Sequence, residues 1–298
     1  MRKKVLITGA SGMVGYAMCR AAISNNYEVV GLGREDRHQI SGMCFKTIDL
    51  RNTYDLRSFI EISQPDIVVH LAATTRQSDC ENDPRSATQL HVHVSGAIAA
   101  ISRDIRSRFI HVSTEAVYGD LGPGLRKESD LCNPSGVYAT SKKRGEEEVM
   151  LSNPDALVLR ATPVGCSPRG LKTSLAEWLA SRMLKGIAVT GYTDVLFTPV
   201  SSFALARLVF DSKLNGISGI FNWGNADVMS KYEFSFLLAK SLELESTTIT
   251  PGLGSKSGGV YFGGMDSRLL AARATIDPPN TAELIDDLKC NFQVTRNC

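Results

Sequence analysis

The sequence predicts an α/β protein: a doubly wound parallel sheet with a small, discontinuous C-terminal region attached to it. Three observations predict it. A glycine-rich TGASGMVG follows the first apolar run of the chain. Short β-branched runs then alternate with longer amphipathic segments through the first two-thirds. Finally, Tyr138 and Lys142 stand four residues apart in YATSK, at the start of one of those amphipathic segments.

The strands read as 4–8 (KVLIT), 28–32 (EVVGL), 66–71 (DIVVHL), 108–113 (RFIHVS) and 156–160 (ALVLR). Each is mostly apolar without polar alternation, which suits strands buried on both faces of a parallel sheet. Between them, 13–25, 53–62, 84–104 and 136–152 have helical spacing. After about Gly165 the pattern loosens, broken by Pro168, Gly170, Gly186, Gly191, Pro199, Pro251 and the 252–259 stretch GLGSKSGG. A helix near 202–213 and a strand near 218–222 read as returning to the main sheet. The expected division is a dinucleotide-binding Rossmann domain over 1–165, rejoined by 202–225. A substrate-binding region then comprises 166–201 and 226–298.

Bulk properties exclude several classes. The 298 residues carry 33 basic and 31 acidic side chains, a net charge of +2. Scattered charges in that balance give no field for nucleic acid or a membrane surface. No apolar run approaches the roughly 20 residues of a membrane span, and the apolar stretch after Met1-Arg2-Lys3-Lys4 is too short for a signal peptide. The seven cysteines form no C-x-x-C pair, so reduced thiols in a cytoplasmic protein are expected.

Gly9, Gly12 and Gly15 follow a strand and open a helix, spaced G-x-x-G-x-x-G. Gly9 suits the tight turn, Gly12 a close approach to a pyrophosphate, and Gly15 helix-to-sheet packing. Ser11, Met13 and Val14 share the loop, whose helix N-terminus offers amides and a positive dipole end to the anion. The second strand ends at Gly33 with Arg34 behind it, a cation suited to a ribose 2′-phosphate. NADP(H) is therefore the expected cofactor, with NAD(H) possible, since Glu35 and Asp36 follow at once.

Tyr138 and Lys142 at i, i+4 lie on one helix face. A phenol with an ordinary pKa of about 10 exchanges protons poorly at neutral pH, and a neighbouring ammonium together with a positively charged nicotinamide ring is expected to favour its phenolate. Tyr138 then exchanges a proton with a carbonyl or hydroxyl oxygen while hydride moves at carbon. Thr114, at the end of the fourth strand read above, is expected to bond the same oxygen.

With these residues in place, the chain resembles the extended short-chain dehydrogenase/reductase family. TGASGMVG, HLAA (70–73), HVSTEAVYGD (111–120) and YATSKKRGEE (138–147) match its motifs in order. Within the family the chain looks most like dTDP-4-dehydrorhamnose reductases, through DCENDPRSA (79–87) and the stretch 197–234. The resemblance implies Asp49 and Leu50 at the adenine, Leu71, Ala72 and Ala73 along the cofactor, and 162–165 beyond the nicotinamide. It implies Lys142 on the nicotinamide ribose, a nucleotide-sugar substrate and often a homodimer.

Departures from the pattern are informative. Many members carry Asn where this chain has His91, so either His91 takes over a structural or proton-relay role or the active site is atypical. His93, at i+2, is expected to point away from it, against a shared metal. Thr114-Glu115-Ala116 replaces the Thr-Asp-Glu of dehydratases, which disfavours dehydration, and GGVYFGGMDSR (258–268) replaces the reductases' Arg-Pro. The leading reading is an NADP(H)-dependent reductase of a nucleotide-linked keto-sugar of the 4-keto-6-deoxy type. A nucleotide-sugar 4-epimerase and a non-catalytic, reductase-like regulatory subunit are the alternatives. Arg169, Arg207, Arg268 and Arg273 are weak candidates for the substrate diphosphate.

Overall fold

The computed structural model describes residues 2–36, 40–120, 122, 124–167, 174–246, 248–254 and 263–296, excepting the side chains of 294–296. Arg169, Pro168, Gly170 and residues 255–262 of the 252–268 motifs lie outside the described residues. The first half runs β1 (Lys4–Thr8), α1 (Met13–Ser24), β2 (Glu28–Gly33), β3 (Met43–Thr47), α2 (Thr53–Ser63) and β4 (Ile67–His70). Next come α3 (Gln77–Asn82), α4 (Pro84–Thr88), a π-helical turn (Gln89–Val94), α5 (Ser95–Asp104), β5 (Arg108–Thr114), α6 (Gly136–Ser152) and β6 (Leu157–Ala161).

Shorter pieces follow: β7 (Pro163–Val164), α7 (Leu175–Leu184), β8 (Val189–Tyr192), β9 (Leu196–Phe197) and β10 (Val200–Ser201). The chain then forms α8 (Ser202–Val209), β11 (Gly219–Asn222), β12 (Met229–Ser230), α9 (Lys231–Ser241), β13 (Ile249–Gly252), α10 (Arg268–Ala274) and α11 (Thr281–Arg296).

Seven strands make one parallel sheet in the order β11-β6-β5-β4-β1-β2-β3. This is the doubly wound Rossmann architecture the sequence predicts. Strand order reverses between β1 and β4, and the crevice beyond their carboxyl ends is where such sheets take ligands. Both faces are covered. Val5, Ile7, Val69 and Leu159 pack with α1, α8 and α10 on one side, and Leu6, Val68, Phe109 and Val158 with α2, α5 and α6 on the other. Apolar side chains of a single strand thus serve two cores, which is why no polar alternation marks them.

The structure corrects three elements. β3 was not expected: it is a half-exposed edge strand whose apolar run is only Met43–Phe45, placed by pairing Gly31 with Phe45. The helix expected over 84–104 is interrupted by the π-helical turn. The helix expected to run to 213 ends at Val209. A second hydrophobic core lies outside the main sheet, built from Leu179 and Met183 of α7, Phe234 and Leu238 of α9, and Leu284 and Leu288 of α11. Ser174 and Ser230 start α7 and α9 with reciprocal capping boxes to Glu177 and Glu233.

Candidate active site

The glycine loop is held to tight tolerances. Gly9 has φ +68°, and a Cβ there would stand 2.9 Å from the Ala72 amide nitrogen. The Gly12 amide donates to the Gly9 carbonyl at 2.9 Å, closing the turn. A Cβ on Gly15 would lie 2.2 Å from the Gly9 oxygen and 2.7 Å from Ala10 Cα, so α1 packs backbone to backbone on its own entry loop. No side chain caps α1, which leaves its N-terminal end suited to an anion. Gly15→Ala is expected to lower stability by about 1–3 kcal/mol, as overpacking does, and to abolish dinucleotide binding. Thermal unfolding and a cofactor titration check it; wild-type values for both would refute the contact.

Thr8, at the end of β1, ties the two halves of the crevice together. Its hydroxyl accepts from the Leu71 and Ala72 amides at 3.1 and 3.3 Å, and pairs with His70 Nδ1 at 2.7 Å. Leu71 and Ala72 therefore border the glycine loop, with Ala73 next in the chain. At the tip of β2, Ser11 donates to the Glu35 carbonyl at 2.5 Å. Arg34 is exposed. Asp49 is bonded to Arg51 at 2.7 Å, which holds its carboxyl below the usual range with some help from Arg34. Leu50, by contrast, is buried beside Leu32 in the core. Met13 approaches Gly165, whose φ is +155°.

Thr114 ends β5, and α6 presents Tyr138 to it. The Thr114 side chain faces the Tyr138 phenol closely enough to favour its ionised form, and its hydroxyl accepts from the Ala116 amide at 3.2 Å. The lowered phenol expected from the Tyr-x-x-x-Lys spacing is not what this structure holds. Burial pushes the Tyr138 phenol up, the neighbouring Thr114 side chain pulls it back, and Cys80 and Glu115 add to the rise. Lys142 faces the sheet instead: its ammonium donates to the Val112 carbonyl at 2.9 Å and to His111 Nε2 at 3.3 Å. Burial lowers the Lys142 ammonium to about 8, against a smaller opposing pull from Glu146.

Several residues of this region were not singled out from the sequence. His111 is buried and stacked on His70, with ring centroids 5.2 Å apart. Burial first, then Lys142, keeps both neutral, His70 near 3 and His111 well below its ordinary value. Glu115 is 6% exposed, its carboxyl raised by burial and drawn back by Lys231. The Lys231 ammonium sits 3.2 Å from the centre of the Phe197 ring and is lowered by burial to about 8. Glu115 also lies beside Tyr118, Gly119, Arg126, Gly263 and Gly264, with no space between them for a water molecule. Glu115, in the turn that follows Thr114, thus forms a buried acid–base pair with Lys231. The suggested phosphate-binding arginines fare differently. Arg207 makes two bonds of 2.9 Å to Asp287, Arg268 is paired with Asp266, and Arg273 is exposed at the end of α10.

Residues 2–256 match the model of a family described as the RmlD substrate binding domain. The chain belongs to that family. The resemblance read from its motifs is thereby borne out. Methionine adenosyltransferase 2 subunit beta of Bos taurus is 29% identical over 256 residues, which cover 84% of this chain and 75% of that protein. The probable low-salt glycan biosynthesis reductase Agl14 of Haloferax volcanii is 28% identical over 246 residues, covering 82% and 81%. Among solved structures, dTDP-4-dehydrorhamnose reductase of Bacillus anthracis in complex with NADP superposes with a TM-score of 0.83 at 16% identity, covering 99% and 100% of the two chains. No helix among the described residues is long and apolar enough to cross a membrane.

Proposed function

We propose that this chain is an NADP(H)-dependent oxidoreductase that reduces a nucleotide-linked keto-sugar, with NAD(H) as a possible substitute. The observation that carries the reading is the Thr114–Tyr138 hydroxyl pair beside the sheet's crevice. The pair suits a single carbonyl oxygen. The glycine loop and α1 fit a pyrophosphate, Arg34 fits a 2′-phosphate, and Ala72 and Ala73 border the path between them. A dinucleotide held there by the glycine loop and Arg34 would supply hydride to the carbonyl carbon. Thr114 polarises the oxygen, and Tyr138, kept protonated by burial, gives its proton to that oxygen as the carbonyl becomes an alcohol. Lys142 holds the nicotinamide ribose, which requires its ammonium to exchange partners from the Val112 carbonyl and His111. The second core, built outside the main sheet, provides the substrate-binding region.

The test is binding of NADPH against NADH, followed by keto-sugar-dependent oxidation of the preferred one. Exchangeable binding with NADPH preferred supports the reductase. A dinucleotide that purifies with the protein and does not leave would favour the 4-epimerase. Arg34→Ala is expected to weaken NADPH about tenfold and NADH less than twofold, the loss of one charge-assisted phosphate contact. Equal losses would remove Arg34 from the cofactor site.

A second reading rests on the similarity to a subunit of methionine adenosyltransferase 2: a reductase-like chain that acts as a regulatory subunit. Binding of NADPH without reduction of any nucleotide keto-sugar would favour it. The Agl14 likeness and the assembled Thr114–Tyr138 pair support the enzyme instead.

A further inference from the structure

His91 lies on the π-helical turn, where it is 1% exposed, whereas His93 two residues on is exposed. Its ring is bonded on both nitrogens. Nε2 accepts from the Thr74 amide at 3.0 Å, so the ring proton sits on Nδ1. That proton points to Ser141 Oγ at 2.8 Å, and Ser141 donates onward to the Tyr138 carbonyl at 3.0 Å. The imidazole also meets the Tyr138 ring edge-on, with centroids 5.9 Å apart at 85°.

Both ends of this chain of bonds are fixed. Thr74 lies just past Ala72 and Ala73 on the loop that borders the glycine turn, and its carbonyl accepts from the Cys80 thiol at 3.3 Å. At the other end, a Cβ on Gly145 would stand 2.2 Å from the His91 carbonyl oxygen, so the π-helical turn and α6 touch through their backbones. Burial, with Lys142 adding to it, lowers the imidazole to about 3, so the same tautomer persists through the physiological range.

We propose that His91 is a positioning residue that couples the 72–74 loop beside the cofactor to the backbone carrying Tyr138. This rests on the reductase reading and assigns a role the sequence left open. A proton relay does not fit the geometry, because the chain of bonds ends on a backbone carbonyl and not on the phenol.

The test uses the whole protein. His91→Phe keeps the ring packing but removes both hydrogen bonds. It is expected to lower kcat about 30-fold and to weaken NADPH about fivefold. His91→Asn, which can accept from Thr74 and donate to Ser141, is expected to restore both to within about threefold of wild type. Ser141→Ala cuts only the second half of the link, so kcat falls about tenfold with NADPH affinity unchanged. Adding Ser141→Ala to His91→Phe should cost little more than His91→Phe alone, the signature of one coupled unit.

Additive losses, or a His91→Asn variant as poor as His91→Phe, would overturn the proposal. If the wild type binds NADPH yet reduces no keto-sugar, the reductase reading fails by itself. The link is then decided by NADPH affinity alone: a fivefold loss in His91→Phe with recovery in His91→Asn upholds it, and unchanged affinity overturns it.

Discussion

Tyr138→Phe is expected to lower keto-sugar turnover about 1,000-fold while leaving NADPH affinity within about twofold. The substitution removes one oxygen and keeps the ring against His91. What it deletes is the proton that the carbonyl oxygen must receive. Burial holds that phenol above its ordinary value, so in the free protein it is protonated throughout the neutral range, the state a reduction needs. Thr114 alone can polarise the oxygen but has no proton of suitable acidity to give.

Lys142 titrates before Tyr138 does. Its ammonium is lowered to about 8, so its charge is complete below that pH and is lost as pH rises through it. If Lys142 holds the ribose, NADPH affinity should weaken above about pH 8 in the wild type and equally in Tyr138→Phe. Single-turnover rates and cofactor titrations between pH 6 and 10 read both effects. Turnover surviving in Tyr138→Phe would end the proton-donor assignment, and a flat affinity profile would detach Lys142 from the cofactor.

The elements legible in the sequence are those whose cause is local. Val5, Leu6 and Ile7 are all apolar because the strand is buried on both faces, and Gly15 is glycine because α1 leaves no room for a Cβ. β3 was illegible because it is an edge strand whose Phe45 is placed by a neighbour. The π-helical turn escaped for a similar reason: its extra residue lets Gly145 meet the His91 carbonyl, a contact between distant segments. His91 itself stood out as a departure, yet its partners Thr74 and Ser141 come from two other elements. Glu115 and Lys231 gave no local signal either. Each looks like a surface charge until the turn after β5 and the first residue of α9 bring them close together. The Tyr-x-x-x-Lys spacing correctly placed two side chains on one helix but misjudged their coupling, because β5 offers Lys142 a carbonyl and an imidazole.

Arg160→Met is expected to destabilise the protein by about 3–5 kcal/mol, the usual consequence of breaking a buried ion pair from one side. Arg160 on β6 and Glu146 on α6 are 3% and 0% exposed, joined by two bonds of 2.9 and 2.7 Å. Arg160 also donates to the Tyr118 hydroxyl at 2.8 Å, which donates in turn to Asn222 on β11. Methionine fills much of the volume but strands the Glu146 carboxylate without water or partner. The pair anchors α6 one turn beyond Lys142, so cofactor binding should weaken in the same variant at temperatures where the fold persists. Removing both charges, as Arg160→Met with Glu146→Leu, should recover most of the stability, because no buried ion is left uncompensated. Denaturant unfolding of the three proteins measures this directly. A double variant as unstable as Arg160→Met would mean that the lost bond from Arg160 to Tyr118, not an uncompensated Glu146, accounts for the instability.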